Sequence, residues 1–279
     1  MEVNIVNINN PFGAPIYYKE SVTSTMDEAR LLTDPANGTV FAAGEQTQGK
    51  GRRGRSWKGD KGESLLCTVV LHFESQTKIP PALTLRTGLA AALAMEDFMA
   101  LMLDSANSSL AGRVQVKWPN DVMLLGKNGQ GRKTVGILTE ANGGTVYIGI
   151  GVNIAQKSFP PELAGKACSI AQVLSEINNQ DQAATELLAE KRFFLLEKIL
   201  CRLYEEVNTG ESLWQKRLEE KLYMKDRKIS FVPGLPEEYA GKSASVIEGT
   251  LKGIGDNGEI IIATDSGEKL SFVTGELKL

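Results

Sequence analysis

Two apolar, β-rich runs, Thr39-Val40-Phe41-Ala42-Ala43-Gly44 and Ser64-Leu65-Leu66-Cys67-Thr68-Val69-Val70-Leu71, bracket the segment that most constrains this chain. Both read as strands. Between them lies Gly49-Lys50-Gly51-Arg52-Arg53-Gly54-Arg55-Ser56-Trp57, four cations threaded through three glycines and closed by a tryptophan. A loop pinned between two strands at a sheet edge is a rigid place to present hydrogen-bond donors. Glycines let the backbone approach a bound group, and arginine forks match carboxylate and phosphate oxygens. The whole chain carries a formal net charge of -3, so the loop points to one small anion rather than to a polyanion-binding surface. Taken alone, such a run also fits a solvated loop or a Gly-Arg RNA-binding tail, although Trp57 is the only ring nearby.

At 279 residues and 42% hydrophobic content the chain can bury a main domain and a small second one. Cys67, Cys168 and Cys201 are far apart in apolar patterns, which favours buried thiols in a reducing, cytoplasmic setting over disulfides or a metal framework. The amino terminus has neither a basic nor an apolar leader pattern, and no apolar run reaches membrane-spanning length, so neither export nor a membrane partner is expected. The single histidine, His72, ends an apolar strand and reads as a packed or edge residue.

Along the chain, Ser24 to Leu32 reads as a helix start, with Thr25 and Glu28 in capping-box spacing. Thr84 to Leu103 follows as a long helix whose Met95, Met99 and Met102 fill core. Arg113 to Trp118 is a strand halted by Pro119 and turned by Asn120-Asp121. Thr134 to Glu140 and Thr145 to Ile154 form a hairpin around Gly143-Gly144. Ala183 to Val207 reads as one amphipathic helix and Leu213 to Tyr223 as another. From Asp226 the pattern changes to short strands, Lys228–Val232, Ser243–Gly249, Glu259–Thr264 and Lys269–Val273, with Asp256-Asn257-Gly258 and Asp265-Ser266-Gly267 as turns. Strands and helices in runs, without βαβ spacing, predict an α+β fold with domains at 1–225 and 226–279, the second a small β-barrel or sandwich.

Lys117-Trp118-Pro119-Asn120-Asp121 projects Asn and Asp from a fixed turn, and Gly131-Arg132-Lys133-Thr134-Val135-Gly136-Ile137-Leu138 places a cation at the mouth of a strand. With Gly49 to Trp57 ahead of them and Gly149-Ile150-Gly151-Val152-Asn153 behind, these motifs stand in the order found in biotin protein ligases, which the chain resembles from about Ser21 to its end. The resemblance implies a mixed β-sheet catalytic domain of the biotin/lipoate ligase type with flanking helices and a small C-terminal SH3-like β-barrel. It implies a ligase that consumes ATP and biotin with Mg²⁺, forms biotinyl-5'-adenylate and pyrophosphate, and transfers biotin to a lysine of a biotin carboxyl carrier protein.

By the same resemblance, Lys133 and Arg52 are the catalytic cations. Ser24, Thr25, Gln46, Gly49, Lys50, Arg52 and Gly136 bind biotin. Arg55, Trp57, Lys117, Asn120, Asp121 and Asn153 face ATP or the adenylate, with Asp121 as candidate metal ligand. The loop from Arg52 to Ser64 is expected to order over the reactive adenylate and exclude water. Lys50 stands where the family usually has arginine, and Gly126 to Gly131 is longer than usual. The stretch ahead of Ser24 is too short for the helix-turn-helix some members carry, so no DNA partner is expected. Members include monomers and dimers, so a homodimer is one expectation. The rival readings are a lipoate or octanoate ligase and a nucleic-acid-binding module.

Overall fold

The computed structural model describes residues 3–57, 61–103, 110–178, 184–208, 211–234 and 246–278. In chain order the amino-terminal part contains β1 (Asn4–Ile5), β2 (Ile16–Val22), α1 (Thr25–Arg30), β3 (Thr39–Gln46), β4 (Gly49–Lys50), β5 (Ser56–Trp57) and β6 (Ser64–His72). Then come α2 (Leu83–Met102), β7 (Val114–Lys117), β8 (Asp121–Leu125), β9 (Gly131–Asn142) and β10 (Thr145–Asn153). Helices α3 (Ile170–Asn178), α4 (Ala184–Glu190), α5 (Arg192–Asn208) and α6 (Glu211–Glu220) follow. The chain closes with β11 (Lys228–Pro233), β12 (Ile247–Ile254), β13 (Ile260–Ala263), β14 (Lys269–Phe272) and β15 (Gly275–Lys278).

Eight strands form one mixed sheet in the order β1-β2-β3-β6-β10-β9-β8-β7, in which only the β2–β3 pair is parallel. The strands flanking the basic loop, β3 and β6, are therefore neighbours inside the sheet rather than at its edge. Their continuous apolar sequences fit this: eight of the nine residues of β6 are buried, as expected for a strand covered on both faces. One face, including Val40, Val69, Ile148 and Ile137, packs on α2 and α5. Helix α2 is apolar nearly all round because it lies between this sheet and α5. Met95 and Met99 are fully buried there. Among the described residues, the one helix on the opposite face is the short α1, over a small cluster of Val22, Ala29, Phe41, Ala43 and Val70. That sparsely covered face leaves room for a site.

The C-terminal strands form a five-stranded antiparallel sheet in the order β14-β13-β12-β11-β15, of the kind an SH3-like domain uses. Among the described residues β14 and β15 do not pair, so hydrogen bonds do not close it into a barrel. Its core residues, Ile229, Phe231, Leu251, Ile260, Ile262 and Leu277, belong to the same continuous apolar cluster as the large sheet.

Several boundaries differ from the sequence reading. The helix expected over Ala183 to Val207 is divided at Lys191 into α4 and α5, although buried Leu188 and Leu195, seven residues apart, keep one apolar stripe; Ala183 lies outside the described residues. Helix α3 and strand β15 have no counterpart among the expected elements, and residues 243–245 of an expected strand lie outside the described residues. The capping box is absent: Ser24, not Thr25, occupies the N-cap with no side-chain cap hydrogen bond, and Glu28 pairs with Lys19 at 2.7 Å. Gly126 to Gly131 folds as a compact turn closed by Gly126 N–H on Gln130 O at 3.1 Å. His72 is an exposed strand end whose ring meets Thr145 and the Pro35 carbonyl. The three cysteines are free; burial pushes the Cys67 thiol up to about 12 and Cys168 to about 11, while Cys201 is only partly buried.

A buried ion cluster joins the helical layer. Glu206 on α5 is 1% exposed and meets Arg217 of α6 at 2.8 Å, while Arg86 of α2 donates to the Glu206 carbonyl. Burial raises the Glu206 pKa against the opposing pull of Arg217 and Arg86. Replacing Arg217 with Met should cost about 2 kcal/mol in urea unfolding at neutral pH, below the full value for a lone buried charge because Arg217 is partly exposed. The loss should shrink as pH falls through the raised Glu206 pKa, since a protonated carboxyl no longer needs its partner. An unchanged urea midpoint at neutral pH would show that the cluster contributes no net stability.

Candidate active site

The basic loop folds as a two-stranded ribbon, β4 against β5, with Gly49 opposite Trp57 and Lys50 opposite Ser56. A short 3₁₀ turn, Arg52–Gly54, forms its tip, where Arg53 (φ 56°) and Gly54 (φ 70°) adopt left-handed backbone conformations. Gly51 N–H donates to Arg55 O at 2.7 Å and closes the turn. The ribbon thus presents its cations in fixed directions. Residues Lys58 to Asp60 of the expected covering loop lie outside the described residues.

Beneath the ribbon, the open face of the large sheet is floored by glycine. Gly136 of β9 sits opposite Gly151 of β10 in the ladder, and the Trp57 indole lies directly on both. A Cβ built at Gly136 would come within 2.5 Å of the Trp57 ring, and one at Gly151 would collide with it. Any larger residue at either position would fill the space. A cleft of about 570 Å³ opens alongside, lined by Gly49, Lys50, Gly51, Arg55, Leu138 and Glu140 among others.

At the α1 end of this face, the Thr25 backbone N–H and hydroxyl donate to Gln46 Oε1 at 2.7 and 3.0 Å, and Thr68 donates to Thr25 Oγ1 at 2.9 Å. Ser24 Oγ is buried beside them with no partner among the described residues. A polar nest in an otherwise apolar wall must satisfy its groups, so an unpartnered buried hydroxyl is a natural contact for a bound polar head.

At the other end, the Lys117 to Asp121 segment is the tight turn between β7 and β8, with a cis Trp118–Pro119 peptide. Asn120 Oδ1 accepts from Arg52 Nη1 at 3.2 Å, and Asn120 Nδ2 donates to Ile137 O at 2.8 Å. Asp121 Oδ1 meets Lys133 Nζ at 2.6 Å. Strict alternation along β9 would send Lys133 to the same face as Val135 and Ile137, toward the core. A bulge between Val122 and Met123 breaks that alternation, and Lys133 instead reaches Asp121 and lies 5.5 Å from the Trp57 ring centroid. Arg52 and Lys133 are thereby held on adjacent side chains of a single turn.

Burial lowers the Arg52 pKa, with the neighbouring Arg53 adding to the effect. Burial likewise lowers that of Lys117, opposed by Asp121 and reinforced by Lys133. Arg55 and Arg53 both pair with Glu276 of β15, Arg53 at 3.1 Å. Burial works to raise the Glu276 carboxyl, but the Arg55 hydrogen bond and the charges of Arg55, Arg53 and Lys278 prevail and hold it below the ordinary range.

The structure thus gathers Arg52, Lys117, Asn120, Asp121 and Lys133 at one end, Ser24, Thr25 and Gln46 at the other, and Gly49, Gly136 and Trp57 between. Lys50 turns away from the cluster to Asp27 at 2.7 Å. Asn153 is buried and donates to Cys168 O at 3.3 Å, bracing the segment whose Cys168 N–H binds Lys133 O. Sequence reasoning missed Thr68, whose polarity within an apolar strand was the available signal, and Glu276, which lies on the unread β15.

Residues 17–154 match the biotin/lipoate A/B protein ligase family. The bifunctional ligase/repressor BirA of Bacillus spizizenii is 32% identical over 173 residues, covering 59% of this chain and 48% of that protein. The biotin acetyl-CoA-carboxylase ligase of Paracoccus denitrificans is 36% identical over 138 residues, covering 47% and 51%. The chain thus spans about half the length of these curated relatives. Among solved structures, the biotin protein ligase of Aquifex aeolicus in complex with biotin and ATP superposes with a TM-score of 0.69 at 25% identity, covering 94% of this chain and 97% of that one. The Leishmania major enzyme in complex with biotinyl-5-AMP gives 0.60 at 25% identity, covering 93% and 98%. Motifs, mixed sheet and these likenesses agree: residues 17–154 match the biotin/lipoate A/B protein ligase family, and the chain is similar in sequence and fold to biotin protein ligases.

Proposed function

We propose that the chain is an ATP-dependent ligase that activates the biotin carboxylate as biotinyl-5'-adenylate and transfers the acyl group to a lysine of a biotin carboxyl carrier protein. The observation that carries this reading is the convergence of Arg52 and Lys133 on the Asn120-Asp121 turn, at the end of a glycine-floored groove whose far end is polar. The names of the similar proteins, biotin ligases acting on acetyl-CoA carboxylase or bound to biotin and ATP, support it.

The chemistry requires a carboxylate to attack the α-phosphate of ATP, two anions that repel. Arg52 and Lys133 touch both groups and neutralise the charge that develops on the pentacovalent phosphorus. Because Asn120 and Asp121 already orient these cations, little reorganisation is needed at the moment of reaction. The ureido head of biotin, with two N–H donors and one carbonyl acceptor, matches Ser24, Thr25 and Gln46. A dithiolane or an alkyl chain would leave Ser24 Oγ buried without a partner, which favours biotin over lipoate or octanoate. Gly49 and Gly136 line the groove, Lys50 closes its rim, and Arg55, Trp57, Lys117 and Asn153 flank the nucleotide end.

Asp121, whose Oδ1 is paired with Lys133, is the carboxylate at this end of the groove that would hold Mg²⁺. A single carboxylate suits an ion that takes its other ligands from phosphates and water. When bound, the ion would neutralise phosphate charge and favour departure of pyrophosphate. Residues 226–279 are proposed as a second domain, a reading supported by their separate sheet. No helix among the described residues is long and apolar enough to cross a membrane.

ATP-pyrophosphate exchange should require biotin and be absent with lipoate or octanoate. Lys133→Ala should lower it about a hundredfold or more, equivalent to ~3 kcal/mol. Exchange supported by lipoate or octanoate alone would move the chain to the sister branch of its family, and exchange with none of the acids would defeat the reading.

Gly136→Ala tests the groove floor. The added Cβ would meet the Trp57 ring at 2.5 Å. Because Trp118 and Trp214 are at most 2% exposed, a long-wavelength shift of tryptophan emission with unchanged far-ultraviolet dichroism is expected to report Trp57. The Michaelis constant for biotin should rise with it, and wild-type values of both would show that the floor is not crowded.

A further inference from the structure

Trp118 stands in the middle of the turn that holds both cations, yet its side chain leaves the site altogether. It is 2% exposed and points to the C-terminal sheet, where its indole N–H donates to Gly258 O at 2.9 Å. Its ring lies 5.8 Å from that of Phe231 on β11, which in turn packs on Phe272 of β14 at 4.9 Å. Gly258 belongs to the β12–β13 turn and is itself wedged: with φ at +86°, a Cβ there would meet Ala82, at the start of α2, at 2.5 Å. The residue that supplies the acceptor carbonyl is therefore packed closely against the start of α2.

Lys117 and Asn120 lie one and two residues from Trp118. Asn120 contacts Arg52 across 68 positions of chain, and Asp121 contacts Lys133. The opposite side of β7 is fixed as well, through Val116 N–H on Lys221 O at 2.8 Å and Tyr223 N–H on Val116 O at 2.9 Å. The tip of the hairpin has the indole bond as its anchor to the C-terminal sheet. From this geometry we propose that Trp118 is a positioning residue: its hydrogen bond to Gly258 makes the C-terminal sheet the fixed stop against which Asn120 and Asp121 orient Arg52 and Lys133.

The inference rests on the adenylation reading for its kinetic consequence, but not for its structural one. Trp118→Phe keeps an apolar ring against Phe231 and removes the donor. In biotin-dependent ATP-pyrophosphate exchange it should lower kcat about tenfold, because small displacements of reacting groups are costly. The Michaelis constant for biotin should stay within about twofold, since Ser24, Thr25 and Gln46 lie at the other end of the groove. Phe231→Leu, which disturbs packing and spares the indole bond, should lower the melting temperature at least as much while keeping kcat.

Amide hydrogen exchange supplies a readout that does not depend on activity. In Trp118→Phe, protection should fall at residues 117–121 and also in the ribbon at 49–57, with β2 unchanged. A variant with wild-type kcat and wild-type protection in both segments overturns the proposal, as does an equal loss of kcat in Phe231→Leu. If the wild-type protein shows no biotin-dependent exchange, the ligase reading fails, and the hydrogen-exchange comparison alone decides whether Trp118 sets the turn.

Discussion

The arrangement of the site is governed by the repulsion among its own cations. Arg52, Arg53, Arg55, Lys117 and Lys133 converge on a small region of a protein whose overall charge is negative. Left to themselves these groups would spread into solvent, and the lowered pKa of Lys117 records the cost of partial burial among like charges. Two carboxylates offset that cost from opposite directions. Asp121 engages Lys133 from within the large sheet, and Glu276 engages Arg53 and Arg55 from the C-terminal sheet. Asn120 adds a neutral acceptor for Arg52 that does not compete with an anionic ligand for net charge. The cluster therefore stays strongly cationic and still compatible with a folded chain.

The groove itself is made by subtraction. Along β9 and β10 the core face is continuous Val and Ile, whereas the other face offers Gly136, Leu138, Gly149 and Gly151. A sheet face in which glycines outnumber side chains lets an indole lie on the backbone. The same thin coverage, with α1 the one helix on this face among the described residues, provides the polar end, because Ser24 and Thr25 begin α1 against Gln46 at the end of β3. The proposed binding groups thus come from strand ends and a helix start, positions fixed by the sheet rather than by loops.

Much of this was legible from the residues. Apolar runs gave the central strands, and the two cationic motifs with their glycines gave the two walls of the site. What escaped depended on pairings distant in sequence. β15 is a four-residue strand whose Glu276 matters only once β11 brings it beside the ribbon, and no local pattern announces a partner 221 positions away. The face chosen by Lys133 depends on a bulge, which period-two reasoning cannot see. The capping box failed for a different reason. Its spacing was correct, but tertiary contacts claimed both members, Thr25 for Gln46 and Glu28 for Lys19.

Lys50 shows how far a departure from a family pattern can be interpreted once its surroundings are known. An arginine in the site end of the ribbon would be expected to offer a planar fork to a ligand, and a lysine could not replace it there. The Lys50 ammonium instead meets Asp27 of α1, with both side chains substantially exposed. A pair of this kind contributes at most about 1 kcal/mol and asks only for a point charge of the right sign. Its effect is to tie the outer strand of the ribbon to the helix that begins at the polar end of the groove. That tie is insensitive to the loss of the guanidinium fork. The fork is retained at Arg52, where the acceptor is the Asn120 amide and the direction of the donor is set by the turn beneath it.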